Sequence, residues 1–304
     1  MRQTYGKLLP GMKLSDLIGK LIVVEGTDGA GRTTQINLLK PWLEELGHAV
    51  LDTGMTRSPL AGDGIRRAKE GNNLGRVTQS LFYATDFVDR LENEIVPALR
   101  AGFIVLTDRY IYSLMARAIV RGMDAAWIRS IYNVALVPDA VFYLRLTVEE
   151  LIPRVIFSRG FDYWESGMDV FPGHDMYESF RSYQTALLAE FERLSVECRF
   201  DTVNGAADQR IVFAQLQSKV LQVLEGDSRK EYLSKMYGEP AKTAAPPAGR
   251  VSPDLVAASA NSRFAGLDLS FRPVTAERHP NGNGSRNDSS HGGNGFNGGS
   301  PNYK

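Results

Sequence analysis

Nine consecutive residues, Gly26-Thr27-Asp28-Gly29-Ala30-Gly31-Arg32-Thr33-Thr34, combine what a triphosphate needs from a protein. Glycines let backbone N–H groups turn inward where a Cβ would clash. Those groups, with the N-terminus of a following helix, hold anionic phosphate oxygens. The spacing is a glycine, four residues, a second glycine, a basic residue and a hydroxyl residue. Arg32 is the cation that reaches the outer phosphates, and Thr33 is the hydroxyl that ligates Mg²⁺ carried with ATP. Lysine is usual where Arg32 stands. Arginine keeps the charge but replaces a compact ammonium on a flexible stem with a wide planar fork. Nucleotide binding is therefore expected, and turnover is the property that Arg32 puts to the test.

Such a loop works only between a strand and a helix, and the flanking sequence supplies both. Lys20 to Glu25 is a short apolar run with the look of a buried parallel strand. Thr33 to Leu46 reads as a helix with Leu38, Leu39, Trp42, Leu43 and Leu46 on one face. Strands at 49–52, 103–107, 140–144 and 199–203 alternate with helices at 78–100, 111–121, 125–135, 148–157, 175–195 and 208–224. Pro97 should bend or shorten the second helix. That alternation predicts an α/β fold, a parallel sheet with helices on both faces.

Composition sets the outer limits. The chain has 304 residues, 35 basic and 35 acidic, so nothing suggests a protein that coats a nucleic acid. The single cysteine, Cys198, excludes an internal disulfide and reads as a small apolar residue. No apolar run is long enough to span a bilayer, and the N-terminus lacks the core of a signal peptide. A cytoplasmic location without a membrane partner is the expectation. Three segments follow: an N-terminal extension at 1–18, a nucleotide-binding domain at 19–225, and a low-complexity tail at 226–304. The tail is rich in Gly, Asn, Ser and Pro, which predicts disorder. Its one more apolar patch, Phe264–Phe271, reads as linker or docking motif, and the tail's partner is unknown.

GKLIVVEGTDGAGRTTQ, TRSPLAGDGIR at 56–66, LFYATDFVDRLENEIVPALRAGFIVLTDRY at 81–110 and PDAVFYLRL at 138–146 follow one another in order. On these motifs the chain resembles bacterial thymidylate kinases over 19–225. It implies a P-loop NTPase-type fold and transfer of the ATP γ-phosphoryl group to thymidine monophosphate. It also implies roles residue by residue. Asp28 would face the acceptor's ribose and phosphate, Arg57 would bind that phosphate, and Phe82 would stack near the base. Asp108 would lie near the magnesium beside Thr33, and Arg109 would contact phosphate. Arg154 and Arg159 would belong to a lid over ATP, with Arg159 supplying a cation. A homodimer through helices on one side of the sheet is implied too, using apolar faces at 78–96 and 111–120.

Several positions depart from the family pattern. Ser58 stands for an acidic residue, Phe87 for a base-facing arginine, Arg117 and Ala118 for a Tyr-Gln pair, and Arg145 for an aspartate. The segment Phe161–Trp164 lacks a second lid arginine. These leave two alternatives open: a kinase of the same fold with another acceptor, and a weakly active nucleotide-binding module that regulates a partner.

Overall fold

A computed structural model describes residues 2–70 and 74–237, with 227–237 described by backbone alone. The chain divides into two units, Met1–Pro273 and Val274–Lys304, and every described residue lies in the first. The patch at 264–271 lies outside the described residues.

Five strands form one parallel sheet: β1 (Lys20–Glu25), β2 (Val50–Gly54), β3 (Ile104–Asp108), β4 (Ala140–Arg145) and β5 (Asp201–Asn204). Their order is β2-β3-β1-β4-β5, with all four pairings parallel. Strand β1 is central, and Leu21 to Val24 are fully buried, which is why it reads as an unbroken apolar run. Successive side chains point to opposite faces, so Leu21 and Val23 join one core and Ile22 and Val24 the other.

The first core is covered by α3 (Arg76–Arg90), α5 (Ile111–Val120) and α8 (Met176–Glu197), through residues such as Phe87, Ile111, Leu187 and Phe191. The second is covered by α1 (Arg32–Glu45), α7 (Val148–Ser158) and α9 (Gln209–Tyr237), through Ile36, Leu39, Leu151 and Leu216. A capping box of Thr147 and Glu150 starts α7, and Asp175 caps α8. Two well-defined helix ends thus frame the connection between them. A short α6 (Ala125–Ile131) completes the α5 side.

The helix expected across 78–100 is a composite. After α3 comes a π-helical turn, Leu91–Ile95, and then α4 (Val96–Arg100). Pro97 lacks the N–H that would bond four residues back and crowds that carbonyl, and the widened turn sits where the crowding falls. A further helix, α2 (Gly62–Glu70), was not expected. It buries only Gly62 and Ile65, too few apolar positions to show a period. The N-terminal segment packs into the same core: Met12 and Leu17 are buried, and the Tyr5 and Tyr112 hydroxyls lie 2.6 Å apart. Helix α9 continues beyond the boundary expected at 225. No helix among the described residues is long and apolar enough to cross a membrane.

Phe87 is fully buried, edge-on to Tyr110 and Tyr132 at 5.3 and 5.6 Å between ring centroids. It is a core residue where the family resemblance puts a base-facing arginine. Phe87→Ala is expected to cost about 3–5 kcal/mol. A urea titration checks this, with the midpoint falling and the slope unchanged.

Candidate functional site

The carboxyl ends of β1 and β3 meet where the phosphate loop begins, and their register sets Val24 beside Asp108. The loop leaves β1 at Gly26 and enters α1 at Arg32. Thr27, Asp28 and Ala30 are buried, whereas Thr33 and Thr34 are exposed at the first turn of α1. Gly29 adopts φ +88°, and a Cβ there would lie 2.9 Å from Val155 of α7. Only glycine satisfies both conditions.

Arg32 folds back into the loop. Its Nη1 donates to the carbonyl of Gly26 at 2.5 Å and to that of Thr27. Its Nε donates to Asp108 Oδ1 at 2.7 Å, while Thr33 Oγ1 donates to Asp108 Oδ2 at 2.6 Å. Burial alone would raise the Asp108 pKa, but Arg32, the Thr33 hydroxyl and nearby Arg57 outweigh it and hold the carboxyl below its usual range.

Asp28 is the second centre. Its carboxylate meets Arg109 Nη2 and Arg117 Nη2 and lies 3.7 Å from Arg32 Nη2. Three guanidinium groups thus converge on one carboxylate inside the loop. Arg109 adopts φ +71°, and its Nε is buried without a hydrogen-bond partner among the described residues. Burial first, and then Arg117, push its pKa down to about 9, so it is still a cation at neutral pH. The left-handed backbone is locked from three sides. Arg109 N donates to Val24 O at 3.1 Å, and Thr107 Oγ1 donates to Arg109 O at 2.6 Å. Buried Glu25 accepts from Tyr110 N at 2.8 Å, Ser113 N at 3.3 Å and Ser113 Oγ at 2.6 Å. Burial raises the Glu25 pKa in spite of these bonds.

The segment after β2 carries Arg57, which is 40% exposed and bonds Asp52 at 2.8 Å. Buried Asp86 fixes this segment by accepting from Thr56 N and Ser58 N, both at 3.0 Å. Arg90 backs Asp86 at 3.0 Å, and both are almost fully buried. Ser58 is a loop cap: its hydroxyl accepts from Leu60 N and Ala61 N and donates to Asp89.

A small cavity of mixed lining opens between α3 and α5, with Gln79, Ser80, Arg117 and Arg121 as its polar walls and Leu114 and Ala118 among its apolar ones, and with Tyr83 and Trp164 also lining it. Phe82 is not in its lining. It faces Gly64 of α2, and its neighbour Tyr83 lines the cavity instead. Among the lid residues, Arg159 ends α7, is half exposed and pairs with Glu165 at 2.5 Å. Arg154 donates to Ala206 O, and exposed Arg145 pairs with Glu192. Lys69 of α2 has its pKa lowered by burial and then by Arg117.

The structure therefore brings Arg32, Thr33, Asp28, Asp108 and Arg109 together. Arg57 and Arg159 lie at the margin in surface ion pairs. Sequence reasoning missed Glu25, Lys69, Asp86, Arg90 and Arg121. An acid closing an apolar strand, and an Asp and Arg four apart on an apolar helix face, were the available signals for Glu25, Asp86 and Arg90. None pointed to Lys69 or Arg121.

A family model described as thymidylate kinase matches residues 24–194. The chain is 37% identical over 189 residues to a probable thymidylate kinase 2 of Saccharolobus solfataricus, covering 62% of this chain and 88% of that one. It is 37% identical over 143 residues to a probable thymidylate kinase of Thermococcus kodakarensis, covering 44% and 70%. A thymidylate kinase of Caldicellulosiruptor saccharolyticus is 34% identical over 143 residues, covering 45% and 69%.

Two expectations follow from the buried carboxylates. Arg90→Met leaves Asp86 without its buried partner and should cost about 3–5 kcal/mol, read by urea denaturation. Asp108 has a folded pKa below its unfolded value of about 3.9, so it stabilises the fold above that pH and less as pH falls. The gap in melting temperature between the unaltered chain and Asp108→Asn should therefore shrink below about pH 4.

Proposed function

The chain belongs to the thymidylate kinase family, and from that premise we propose how its residues divide the work of phosphoryl transfer. The reaction moves the γ-phosphoryl group of ATP to thymidine monophosphate and yields ADP and thymidine diphosphate. The observation that carries this reading is the convergence of Arg32, Arg109 and Arg117 on Asp28 inside the phosphate loop, beside a cavity that Arg117 also lines.

An oxygen of the acceptor phosphate attacks the γ-phosphorus, and the bond to the β–γ bridging oxygen breaks. Little covalent chemistry falls to the protein, so positioning and neutralisation of charge dominate. The backbone N–H groups of 26–33 and Arg32 hold the ATP phosphates. Arg109, with an Nε free of partners, and Arg117 take the acceptor phosphate from the other side. Asp28 keeps those two guanidinium groups oriented and offers a carboxylate to the acceptor's sugar hydroxyl. Tyr83, Gln79 and Ser80 border the base, a role assigned to Tyr83 in preference to Phe82. Arg57 and Arg159 add charge at the rim.

Thr33 Oγ1 and Asp108 Oδ2 are hard oxygens 2.6 Å apart at the mouth of the loop, a donor set that suits Mg²⁺ sharing its shell with phosphate oxygens. Bound there, the ion would neutralise charge on the ATP phosphates. We also infer a cytoplasmic location, from the composition and the single cysteine. A homodimer would use α3, whose Val77 and Leu81 are about half exposed, because the apolar face of α5 is already buried.

Incubation with Mg-ATP and a panel of nucleoside monophosphates tests the assignment. Fast ADP formation with thymidine monophosphate alone is expected. A different best acceptor, or no turnover on any acceptor, refutes it. Arg32→Ala should lower kcat by about 100-fold or more, as loss of a charge-stabilising donor does. An unchanged kcat removes Arg32 from the machinery.

A further inference from the structure

Arg121 follows the last turn of α5 and is 4% exposed. Its Nε donates to Asp169 Oδ2 at 2.9 Å, and its Nη2 donates to Asp169 Oδ1 at 3.3 Å and to the Trp164 carbonyl at 2.8 Å. Its Nη1 donates to the Tyr183 hydroxyl. The guanidinium carbon also lies 4.8 Å from the Tyr183 ring centroid and 5.9 Å from that of Trp164. A planar fork with five donors is the one side chain that can make all these contacts at once.

The clasp holds the connection between α7 and α8 against three helices. The Trp164 indole N–H donates to Lys69 O at 2.9 Å, which ties the connection to α2. From α8, Ser179 donates to Ser166 O at 2.7 Å and Gln184 to Glu165 O at 2.8 Å. Gly167, at φ +64°, passes so close to the Tyr183 ring that a Cβ would lie 2.5 Å from it.

Trp164 and Arg121 are also walls of the cavity between α3 and α5. That cavity measures about 20 Å³, room for roughly one water. A pyrimidine base is many times larger, so the walls, Arg121 and Trp164 among them, must move apart to admit it.

We propose that Arg121 is a positioning residue whose clasp on Trp164 and Asp169 gates the acceptor cavity, opening to let the base in and re-forming over it. The proposal rests on the reading of that cavity as the acceptor site. Arg121 holds Trp164 in the cavity wall, lines that wall itself and donates to the Arg117 carbonyl at 3.4 Å, and it touches neither the phosphate loop nor Asp28. Acceptor entry is then limited by the fraction of molecules in which the clasp is open, and ATP entry is not.

Stopped-flow mixing with thymidine monophosphate, followed by intrinsic tryptophan fluorescence, tests the gate. In the unaltered protein the observed rate should level off with acceptor concentration, at the rate of clasp opening. Arg121→Lys keeps the charge and loses the fork, and its plateau should rise at least about tenfold, the effect of one weakened charge-assisted hydrogen bond. Asp169→Asn should move the plateau the same way and serves if Arg121→Lys does not fold. The rate of ATP binding should be unchanged in both. Equal plateaus in the variants and the unaltered protein, or a linear rate throughout, overturn the gate while transfer persists. If the unaltered protein neither binds nor phosphorylates thymidine monophosphate, the functional reading falls and the gate falls with it.

Discussion

Charge compensation inside the phosphate loop is the constraint on which the rest of the structure depends. Buried ions must be paired, because desolvation costs each of them several kcal/mol. Here Asp28 and Asp108 compensate Arg32, Arg109 and Arg117 within a few ångströms of one another. Such a cluster is already arranged for anions. On the proposed reading, phosphate oxygens would compete for the N–H groups that the two carboxylates and the loop carbonyls hold in this structure. Each incoming oxygen would then exchange one charge-assisted contact for another and need not strip a bare ion of water. The gain comes from the excess of cations over carboxylates.

Around that cluster, carboxylates serve as backbone anchors. Glu25 closes β1 and binds the amides of Tyr110 and Ser113, which fixes the turn that carries Arg109. Asp86, backed by Arg90, binds the amides of Thr56 and Ser58, which fixes the turn that carries Arg57. Both Arg109 and Thr56 have left-handed backbones, at φ +71° and φ +62°. Such conformations cost about 1–3 kcal/mol each and persist only where their surroundings over-determine them. Arg109 and Arg57 thus stand in and beside strained turns, and a buried acid supports each.

Legibility followed the range of the interactions. Strands β1, β3 and β4 were readable because each is buried along most of its length and carries a continuous apolar run, which is a local property, whereas β2 and β5 at the sheet edges are more exposed and were readable only from the alternation with helices. The phosphate loop was readable because its chemistry is contiguous. Helix α2 was not, since its short, charge-rich sequence buries only Gly62 and Ile65 and offers no apolar run to read. Arg117 stood out as a departure, but its contact with Asp28 spans 89 positions and no local pattern reports it. Phe87 and Phe82 show the complementary limit. An aromatic on an amphipathic helix looks the same whether it faces a core, as Phe87 does, or lies one position away from the cavity-lining Tyr83.

The replacement of lysine by Arg32 has a physical logic in this setting. A lysine ammonium has three donors at one point, whereas the guanidinium spreads its donors across a plane. Arg32 uses that plane to bridge Asp108 on one edge and the carbonyls of Gly26 and Thr27 on the other. It therefore ties β3 to the loop as well as carrying charge. The same bridge must loosen at its carbonyl edge for Nη1 to reach a phosphate, while the Nε–Asp108 bond can stay. Asp108 then acts as the pivot of the arginine and the partner of Thr33 at once. The loop thus keeps its cation in register through one carboxylate on a neighbouring strand, and the geometry of that carboxylate decides whether arginine can do the work of lysine.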